Sequence, residues 1–374
     1  MDNIVWTGLL DKLTVKMKAQ CERIGSMIPY IPKDGRYKDL DVPSGIFWWT
    51  NGFWPGMLWQ MYNATKDECY LTAAVGVEKR FDEALEGFTG LHHDVGFMWL
   101  HTAVANYRLT QDKDAYRRGL HAANILSGRY NVNGKYISAW NIDPPGGLMI
   151  VDSMMNIPLL FWASKETGDP RFKHVAINHA DTCMNVTVRP DGSCNHIIVL
   201  DPETGDVLDN PAGQGYASGS SWSRGNAWAL YGFALTYRHS GEERYLDTAK
   251  RIAHYFALNL AVNDWLPLVD FRQPKEPVCY DSTAAMIAAC GLLEIAQHVP
   301  ELEKDMYTNS AVKTLLACEK QFCNWDPTVD AILGGGTAAY HSSWDASHAV
   351  PIIYGDYFLT EAILRMNGKD FLIW

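Results

Sequence analysis

Apolar residues recur at spacings of three and four along most of the chain, which is the pattern of amphipathic α-helices. The clearest examples are the segments 72–88, 114–130, 245–260 and 281–299. Strict alternation of apolar and polar residues is rare, and the segment 194–200 is one of the few short runs that could form a small strand or an extended loop. The pattern therefore predicts an all-α protein.

A weak internal repeat links these helices. In each instance an aromatic-rich helix ends in a short polar connector, and an aromatic residue then opens the next helix. An acidic residue in each connector suits the N-terminus of the following helix. The spacings of 46, 56 and 73 residues leave room for two helices and a variable loop per unit, which suggests a closed ring of helical hairpins. The alternative is a set of ordinary helix–turn–helix junctions. The opening aromatics are Tyr70, Tyr116, Phe172 and Tyr245.

Longer loops rich in glycine and proline separate the units, at 34–51, 141–147, 200–223 and 334–353. In a ring of hairpins such loops gather at one end, and binding sites are often built from loops held by a rigid scaffold. No segment has the composition of an inter-domain linker. We therefore expect one domain over residues 1–374.

Composition narrows the class of partner. A net charge of −11 over 374 residues argues against nucleic acid and against an anionic membrane surface. No apolar run reaches transmembrane length, and the first twenty residues lack the pattern of a signal peptide. The eight cysteines are scattered without a Cys-x-x-Cys pair, which argues against a zinc site or a disulfide framework. These features predict a cytoplasmic protein.

Two aspartates carry the strongest chemical signal. Asp94 lies in HHDVGFMW (92–99) and Asp152 in IVDSMMNIP (150–158), and both runs are strongly apolar and compatible with a helix. Burying a charge without a partner is costly, so an aspartate in such a run suggests acid–base chemistry. Glycosidic chemistry commonly uses two carboxylates, one of which has a raised pKa. The alternative is that each aspartate caps a helix or makes buried structural hydrogen bonds.

Arginine and tryptophan residues supply candidate binding groups. Arg224 is a lone cation in the segment 214–228, and its planar guanidinium is suited to a carboxylate, although it could equally anchor a long loop. Trp49 in FWWTNGFWPG (47–56) and the separate Trp140 could stack on sugar rings. His92 and His93 point in different directions on a helix, so at most one of them faces a site. No histidine pair has the spacing of a helical metal site, and we expect no metal.

With these residues in view, the chain resembles the unsaturated glucuronyl hydrolases of glycoside hydrolase family eighty-eight over roughly Tyr37 to Met366. The resemblance implies an (α/α)6 barrel, a six-hairpin toroid without a metal or organic cofactor. It also implies a substrate, an oligosaccharide with a 4,5-unsaturated uronic acid at its non-reducing end. The matching segments are WTNGFW (49–54), HHDVGF (92–97), DSMMNIP (152–158), SWSRGNAW (221–228) and YGDYF (354–358).

The resemblance also implies roles for individual residues. Asp152 matches the general acid/base, and Asp94 matches a second carboxylate that binds ring hydroxyls and shapes the pKa of its partner. The implied reaction places a proton on C4 and water on C5 of the vinyl ether, after which the hemiketal opens and the sugar leaves. The residues that match substrate-binding positions are Trp49, His93, Trp140, His196, Gln214, Arg224, Trp228, Tyr340 and His341.

One departure affects the expected substrate. Relatives that accept sulfated fragments carry a Ser-x-x-Ser-x-Lys motif in the late loop, whereas the segment 341–349 here has serines but no lysine, and Asp345 would repel a sulfate.

Three alternatives to this functional prediction are an unsaturated rhamnogalacturonyl hydrolase, a sugar epimerase that uses histidines, and a carbohydrate-binding protein without activity. We expect a monomer or a small homo-oligomer.

Overall fold

The computed structural model describes residues 3–142, 146–341 and 347–374. Its α-helices are α1 (Asn3–Ile24), α2 (Phe53–Thr65), α3 (Glu68–Arg80), α4 (Asp82–Glu86), α5 (Val95–Trp99), α6 (Ala105–Thr110), α7 (Lys113–Gly128), α8 (Pro158–Thr167), α9 (Pro170–Thr187), α10 (Ser223–Ser240), α11 (Glu243–Ala261), α12 (Ser282–Ile295), α13 (Glu301–Phe322) and α14 (Ile353–Met366). A π-helical turn, Leu100–Val104, joins α5 to α6 into one continuous helix.

The helices form two concentric layers. The inner layer consists of α2, the α5–α6 helix, α8, α10, α12 and α14, and each packs on the next, with α14 returning to α2 to close the ring. The outer layer consists of α3, α7, α9, α11, α13 and α1, and each packs on its inner partner. Every residue of α12 is buried, as an inner helix requires. The architecture is an (α/α)6 barrel, and the fold prediction is confirmed.

Two-residue junctions explain the internal repeat. At four inner-to-outer junctions the inner helix ends in a residue with positive φ, and an acidic residue then precedes the outer helix. The side chains of Asp67, Asp112 and Asp169 accept hydrogen bonds from N–H groups of the following helix, which is the role of an N-cap. The opening aromatics all fall in the first four residues of an outer helix. The residues with positive φ are Lys66, Gln111, Gly168 and Gly241.

Short strands lie in the loops that join one hairpin to the next. β1 (Tyr130–Asn131) pairs with β2 (Tyr136–Ile137). β3 (Gly147–Ile150), β4 (Ile197–Leu200) and β5 (Val207–Asp209) form an antiparallel sheet in that order, and β4 lies in the segment for which a strand was one of two predictions. Within the described residues no helix is both long and apolar enough to cross a membrane.

Two predicted helices differ in their bounds. The segment 72–88 is divided, because α3 ends at Arg80 and α4 begins at Asp82. The apolar run after Asp152 begins as a 3-10 helix, Val151–Met155, and becomes α-helical at Pro158. Proline suits the first position of an α-helix because it lacks the N–H that would be unpaired there. Asp152 therefore lies in a tight turn ahead of α8 and not on it.

Candidate active site

A cavity of about 460 Å³ opens at the end of the barrel where the inner helices begin. Asp94 directly precedes α5, Asp152 lies in the turn before α8, and Arg224 is the second residue of α10. Loops from three further regions complete the wall. The lining residues are Trp48, Trp49, His92, Asp94, Trp140, Asp152, His196, Ile197, Gly213, Gln214, Trp222, Arg224 and Trp228.

Both aspartates and most of the predicted binding residues share this cavity. His93, Tyr340 and His341 do not line it. Sequence reasoning named the motifs of Trp48, His92 and Trp222 but did not select these residues as lining positions. The direction of a side chain in an irregular loop leaves no periodic signal in the sequence. The predicted residues that do line the cavity are Trp49, Asp94, Trp140, Asp152, His196, Gln214, Arg224 and Trp228.

The surroundings of Asp152 favour its protonated form. Its side chain is 17% exposed, and its Oδ1 has no hydrogen-bond partner among the residues that the structure describes. Burial and the nearby negative charge of Asp94 raise the pKa of Asp152 well above its usual value, and Arg224 opposes this only in part. A raised pKa favours the protonated form of a carboxyl group, which can donate its proton to a ligand.

Asp94 is set up as an anion. It directly precedes α5, yet its side chain makes no capping hydrogen bond, which argues against the alternative that Asp94 only caps this helix. Its Oδ2 lies 3.2 Å from His92 Nδ1 and 3.4 Å from His93 Nε2, and its Oδ1 accepts a hydrogen bond of 3.1 Å from Asn156 Nδ2. Burial alone would raise the pKa of Asp94, but these three neighbours together lower it below its usual value.

His93 lies between the two carboxylates. Its Nε2 lies 3.4 Å from Asp94 Oδ2 and 3.8 Å from Asp152 Oδ1, and the side chain is fully buried. Burial lowers the pKa of His93 to about 4. The ligand atoms of His92, His93 and Asp94 lie within 4.8 Å of one another, a spacing that a metal ion could also use. The direct contacts already account for the arrangement, since both imidazoles face the Asp94 carboxylate.

His196 lies on the cavity wall beside Gln214. Burial lowers the pKa of His196 to about 3, so its imidazole is neutral near pH 7. Its Nδ1 accepts a hydrogen bond of 2.9 Å from the main-chain N–H of Gln214. Its ring centroid is 4.1 Å from that of Trp222. The histidine thus fixes the loop that carries Gln214 into the cavity.

Arg224 is held by the fold as well as facing the cavity. It is 1% exposed, and its Nη1 donates to the carboxylate of Asp281 and, at 2.7 Å, to the main-chain oxygen of Thr337. Its Nη2 donates to the main-chain oxygen of Ala338. The guanidinium also lies 4.6 Å from the Trp222 ring centre. Among the residues that the structure describes, Nε donates no hydrogen bond and Nη2 donates one, so N–H groups on both atoms are left for a ligand carboxylate and the anchoring and binding roles are compatible.

The tryptophans of the cavity differ in packing and in exposure. Trp49 packs its ring edge-on against Trp228 at 6.5 Å and lies 5.5 Å from Phe97, which forms an aromatic floor. Trp228 is buried, whereas Trp140 is 44% exposed at the rim. An exposed indole beside a polar cavity is suited to stacking on a sugar ring. Among these residues, Trp140 therefore offers the exposed indole face.

Tyr340 and His341 support a loop behind the cavity wall. The main-chain N–H of Tyr340 donates to the oxygen of Gln214 at 2.9 Å, and His341 Nε2 lies 2.7 Å from the oxygen of Tyr216. Their rings pack against that of Tyr216. The predicted effect of Asp345 on sulfate lies outside the described residues.

The sequence profile described as Glycosyl Hydrolase Family 88 matches residues 24–266. The chain belongs to this family. An unsaturated glucuronyl hydrolase of Bacillus sp. strain GL1 is 39% identical to it over 327 residues, which cover 85% of this chain and 86% of the relative.

Solved structures of family 88 relatives share the fold. The crystal structure of the unsaturated glucuronyl hydrolase from Bacillus sp. GL1, described as responsible for the degradation of glycosaminoglycan, matches with a TM-score of 0.89 and 35% identity over 96% of each chain. An aspartate-to-asparagine variant of the enzyme from Streptococcus agalactiae, complexed with dGlcA-GalNAc6S, matches with a TM-score of 0.85 and 29% identity. That match covers 100% of this chain and 94% of the relative. Both likenesses extend over the whole (α/α)6 barrel.

Proposed function

We propose that this family 88 protein is an unsaturated glucuronyl hydrolase. It releases the 4,5-unsaturated uronic acid from the non-reducing end of lyase-generated, glycosaminoglycan-type disaccharides. The observation that carries the proposal is the presence in one cavity of two carboxyl groups whose surroundings shift their pKa values in opposite directions: burial and Asp94 raise that of Asp152, whereas His92, His93 and Asn156 lower that of Asp94. Pairs of acids whose pKa values are driven apart commonly mark the acid and the stabilising anion of an enzyme.

Asp152 acts as the general acid and then as the general base. The vinyl ether of the unsaturated uronate is electron-rich at C4, so the neutral Asp152 carboxyl donates its proton there and C5 becomes an oxocarbenium ion. The resulting carboxylate takes a proton from water as the water oxygen bonds to C5. The hemiketal then opens, the bond to the second sugar breaks, and that sugar leaves with a proton. The net change is the addition of one water molecule.

The remaining groups divide between charge and binding. Ionised Asp94 accepts hydrogen bonds from ring hydroxyls and, by its negative charge, keeps the proton on Asp152. The free N–H groups of Arg224 and the amide of Gln214 meet the uronate carboxylate, and Trp140 stacks on a ring. A local cation is needed because the chain as a whole carries a net charge of −11.

The first test is turnover of defined disaccharides. The protein is incubated with unsaturated chondroitin, hyaluronan and heparin disaccharides, sulfated and unsulfated, while the ultraviolet absorbance of the conjugated alkene is followed. Loss of absorbance with at least one of them is the expected result, with faster loss for the unsulfated forms because the late loop lacks a lysine. Loss only with an unsaturated rhamnogalacturonan disaccharide would replace the substrate assignment.

Inertness toward every substrate would contradict the proposal and favour an epimerase or a binding protein. The electrostatics already weigh against an epimerase that uses a protonated histidine, since burial lowers the pKa of His93 to about 4 and of His196 to about 3.

The proposal includes one catalytic domain over residues 1–374, a monomer or small homo-oligomer, and a cytoplasmic location. The eight free thiols support a reducing compartment.

A further inference from the structure

Asn156 bridges the two segments that carry the aspartates. It is fully buried, and its Nδ2 donates to Asp94 Oδ1 at 3.1 Å and to the main-chain oxygen of Asp152 at 3.3 Å. Its Oδ1 accepts a hydrogen bond of 2.7 Å from the main-chain N–H of Phe97. One side chain thus contacts the start of α5 and the turn before α8, and its hydrogen-bonding groups are used in doing so.

The two segments approach so closely that glycine is required at the contact. A Cβ atom at Gly96 would lie 2.4 Å from the Cα of Asn156 and 2.7 Å from its Oδ1. Any larger residue at this position would separate α5 from the turn and lengthen the bond to Asp94. The position of the Asp94 carboxylate relative to Asp152 is therefore fixed by main-chain packing together with the Asn156 amide.

We propose that Asn156 is a positioning residue of the reaction, which holds the Asp94 carboxylate in place and keeps it ionised beside Asp152. The inference rests on the proposed function. The imidazoles of His92 and His93 face Oδ2 of Asp94, whereas Asn156 donates to Oδ1. A buried carboxylate oxygen without a donor binds a proton more readily. The titratable or charged groups that act on Asp94 are His92, His93, Arg129 and Asp152.

Asn226 provides a matched control. It is also fully buried, its Oδ1 accepts a hydrogen bond of 2.9 Å from the N–H of Cys194, and its Nδ2 donates to Ser221 Oγ at 3.0 Å and to the oxygen of Trp222 at 2.7 Å. It therefore makes as many hydrogen bonds as Asn156, none of them to a carboxylate. A purely structural role predicts the same consequences for loss of either amide.

The experiment compares the pH dependence of kcat/KM in Asn156→Ala and Asn226→Ala, together with thermal unfolding. In Asn156→Ala we expect the acidic limb to move up by roughly one pH unit, because a hydrogen bond to a charged group is worth about that much. We also expect kcat at neutral pH to fall roughly tenfold, with little change in KM. In Asn226→Ala we expect a similar loss of thermal stability with the acidic limb in place. Equal limbs in both variants would overturn the proposal.

Asn156→Asp guards against failure of the alanine variant to fold. It keeps an oxygen for the Phe97 N–H but places a third carboxyl beside Asp94, so the cluster holds an additional proton and the acidic limb again moves up. A wild-type limb in this variant would also overturn the proposal. If the wild-type protein turns over no substrate, the proposed function fails, and the carbon-13 carboxyl signal of Asp94, assigned with Asp94→Asn, still tests the inference. An unchanged Asp94 titration in Asn156→Ala would then refute it.

Discussion

Asp152 and Glu294 are buried acids at opposite ends of the barrel, and their surroundings differ. At the open end, Asp152 has an oxygen without a hydrogen-bond partner in the described part of the chain, and its pKa is raised. At the other end, Glu294 on α12 accepts hydrogen bonds from Arg238 Nε, Arg365 Nη2 and His298 Nε2, the last two at 2.7 Å. Burial alone would raise the pKa of Glu294, but these partners hold it far below its usual value.

The difference follows from how the chain connects the helices. Long loops enter the inner helices at their N-terminal ends, and they can bring side chains together without pairing every one of them. Short connections leave the inner helices at their C-terminal ends, four of them only two residues long. Charges on neighbouring helices pair directly there, and Trp374 donates a hydrogen bond of 2.9 Å to Glu361. A buried acid without full pairing reduces stability, so it persists where chemistry uses it. Fully paired acids serve the fold.

The largest expected effect comes from Asp152→Asn. The amide has almost the same shape but cannot donate a proton to C4, so we expect kcat to fall by roughly 10³-fold. Folding and disaccharide binding should persist, as measured by circular dichroism and by calorimetry with the unsaturated substrate. A correctly folded Asp152→Asn protein with near-normal turnover would show that Asp152 is not the general acid.

The same variant tests the cost of the unpaired acid. Because the folded-state pKa of Asp152 is raised, the folded protein keeps a proton that the unfolded chain releases above about pH 4. The contribution of Asp152 to wild-type stability should therefore fall as pH rises through this range, whereas asparagine does not titrate. We expect Asp152→Asn to have a higher Tm than wild type, with a gap that widens as the pH rises above about 4. The control is Asp356→Asn.

Asp356 is a suitable control because it is buried like Asp152 and burial raises its pKa to about 7, yet its oxygens accept hydrogen bonds from the N–H groups of Ile332 and Leu333 at 2.9 and 2.7 Å. Its amide variant loses one of these interactions and should be less stable, with turnover within a fewfold of wild type. A gain in stability in Asp356→Asn would mean that burial of the carboxyl group alone determines whether the amide stabilises the protein. The unpaired oxygen of Asp152 would then not be the cause.

Much of this contrast could be predicted from the sequence, but unequally at the two ends. The ring was predictable because the junction repeats with an acidic cap and an aromatic residue, and Asp152 stood out in a run almost free of charge. The ion pairs of Glu294 could not be predicted, because its partners Arg238 and Arg365 lie 56 and 71 residues away in the sequence. Nor could the sequence show that Trp140 is exposed and Trp228 buried. Pairing across helices and the direction of loop side chains depend on tertiary packing.

The next largest effect should follow from Glu294→Gln. Removing its charge leaves Arg238, Arg365 and His298 facing a neutral amide in a buried site, and breaking such a network typically costs about 3 kcal/mol or more. Urea denaturation should show this loss, while kcat of the folded protein stays close to wild type. A clear fall in kcat of the folded Glu294→Gln protein would show that the two ends of the barrel are coupled.

Trp140→Ala should have a smaller effect, confined to binding. The indole is 44% exposed, so its removal opens no cavity in the core, but the loss of a stacking surface should raise KM roughly tenfold with kcat nearly unchanged. Trp228→Ala is the matched control, because that ring is buried in the aromatic floor and its loss should lower Tm by several degrees. An unchanged KM in Trp140→Ala would place the sugar on another surface.

The smallest effect tests the junction end alone. Asp112 accepts hydrogen bonds from the N–H groups of Asp114 and Ala115 at 2.9 and 2.7 Å, so Asp112→Ala should cost about 1 kcal/mol of unfolding free energy. Glu242 occupies the equivalent position before α11 but makes no side-chain cap, and Glu242→Ala should cost much less. Neither variant should alter kcat, because both sites lie at the opposite end from the cavity. A change in kcat for Asp112→Ala that exceeds the loss of folded protein would mean that the junction affects the positions of Asp94 and Asp152. Structural and chemical acids would then not be separate.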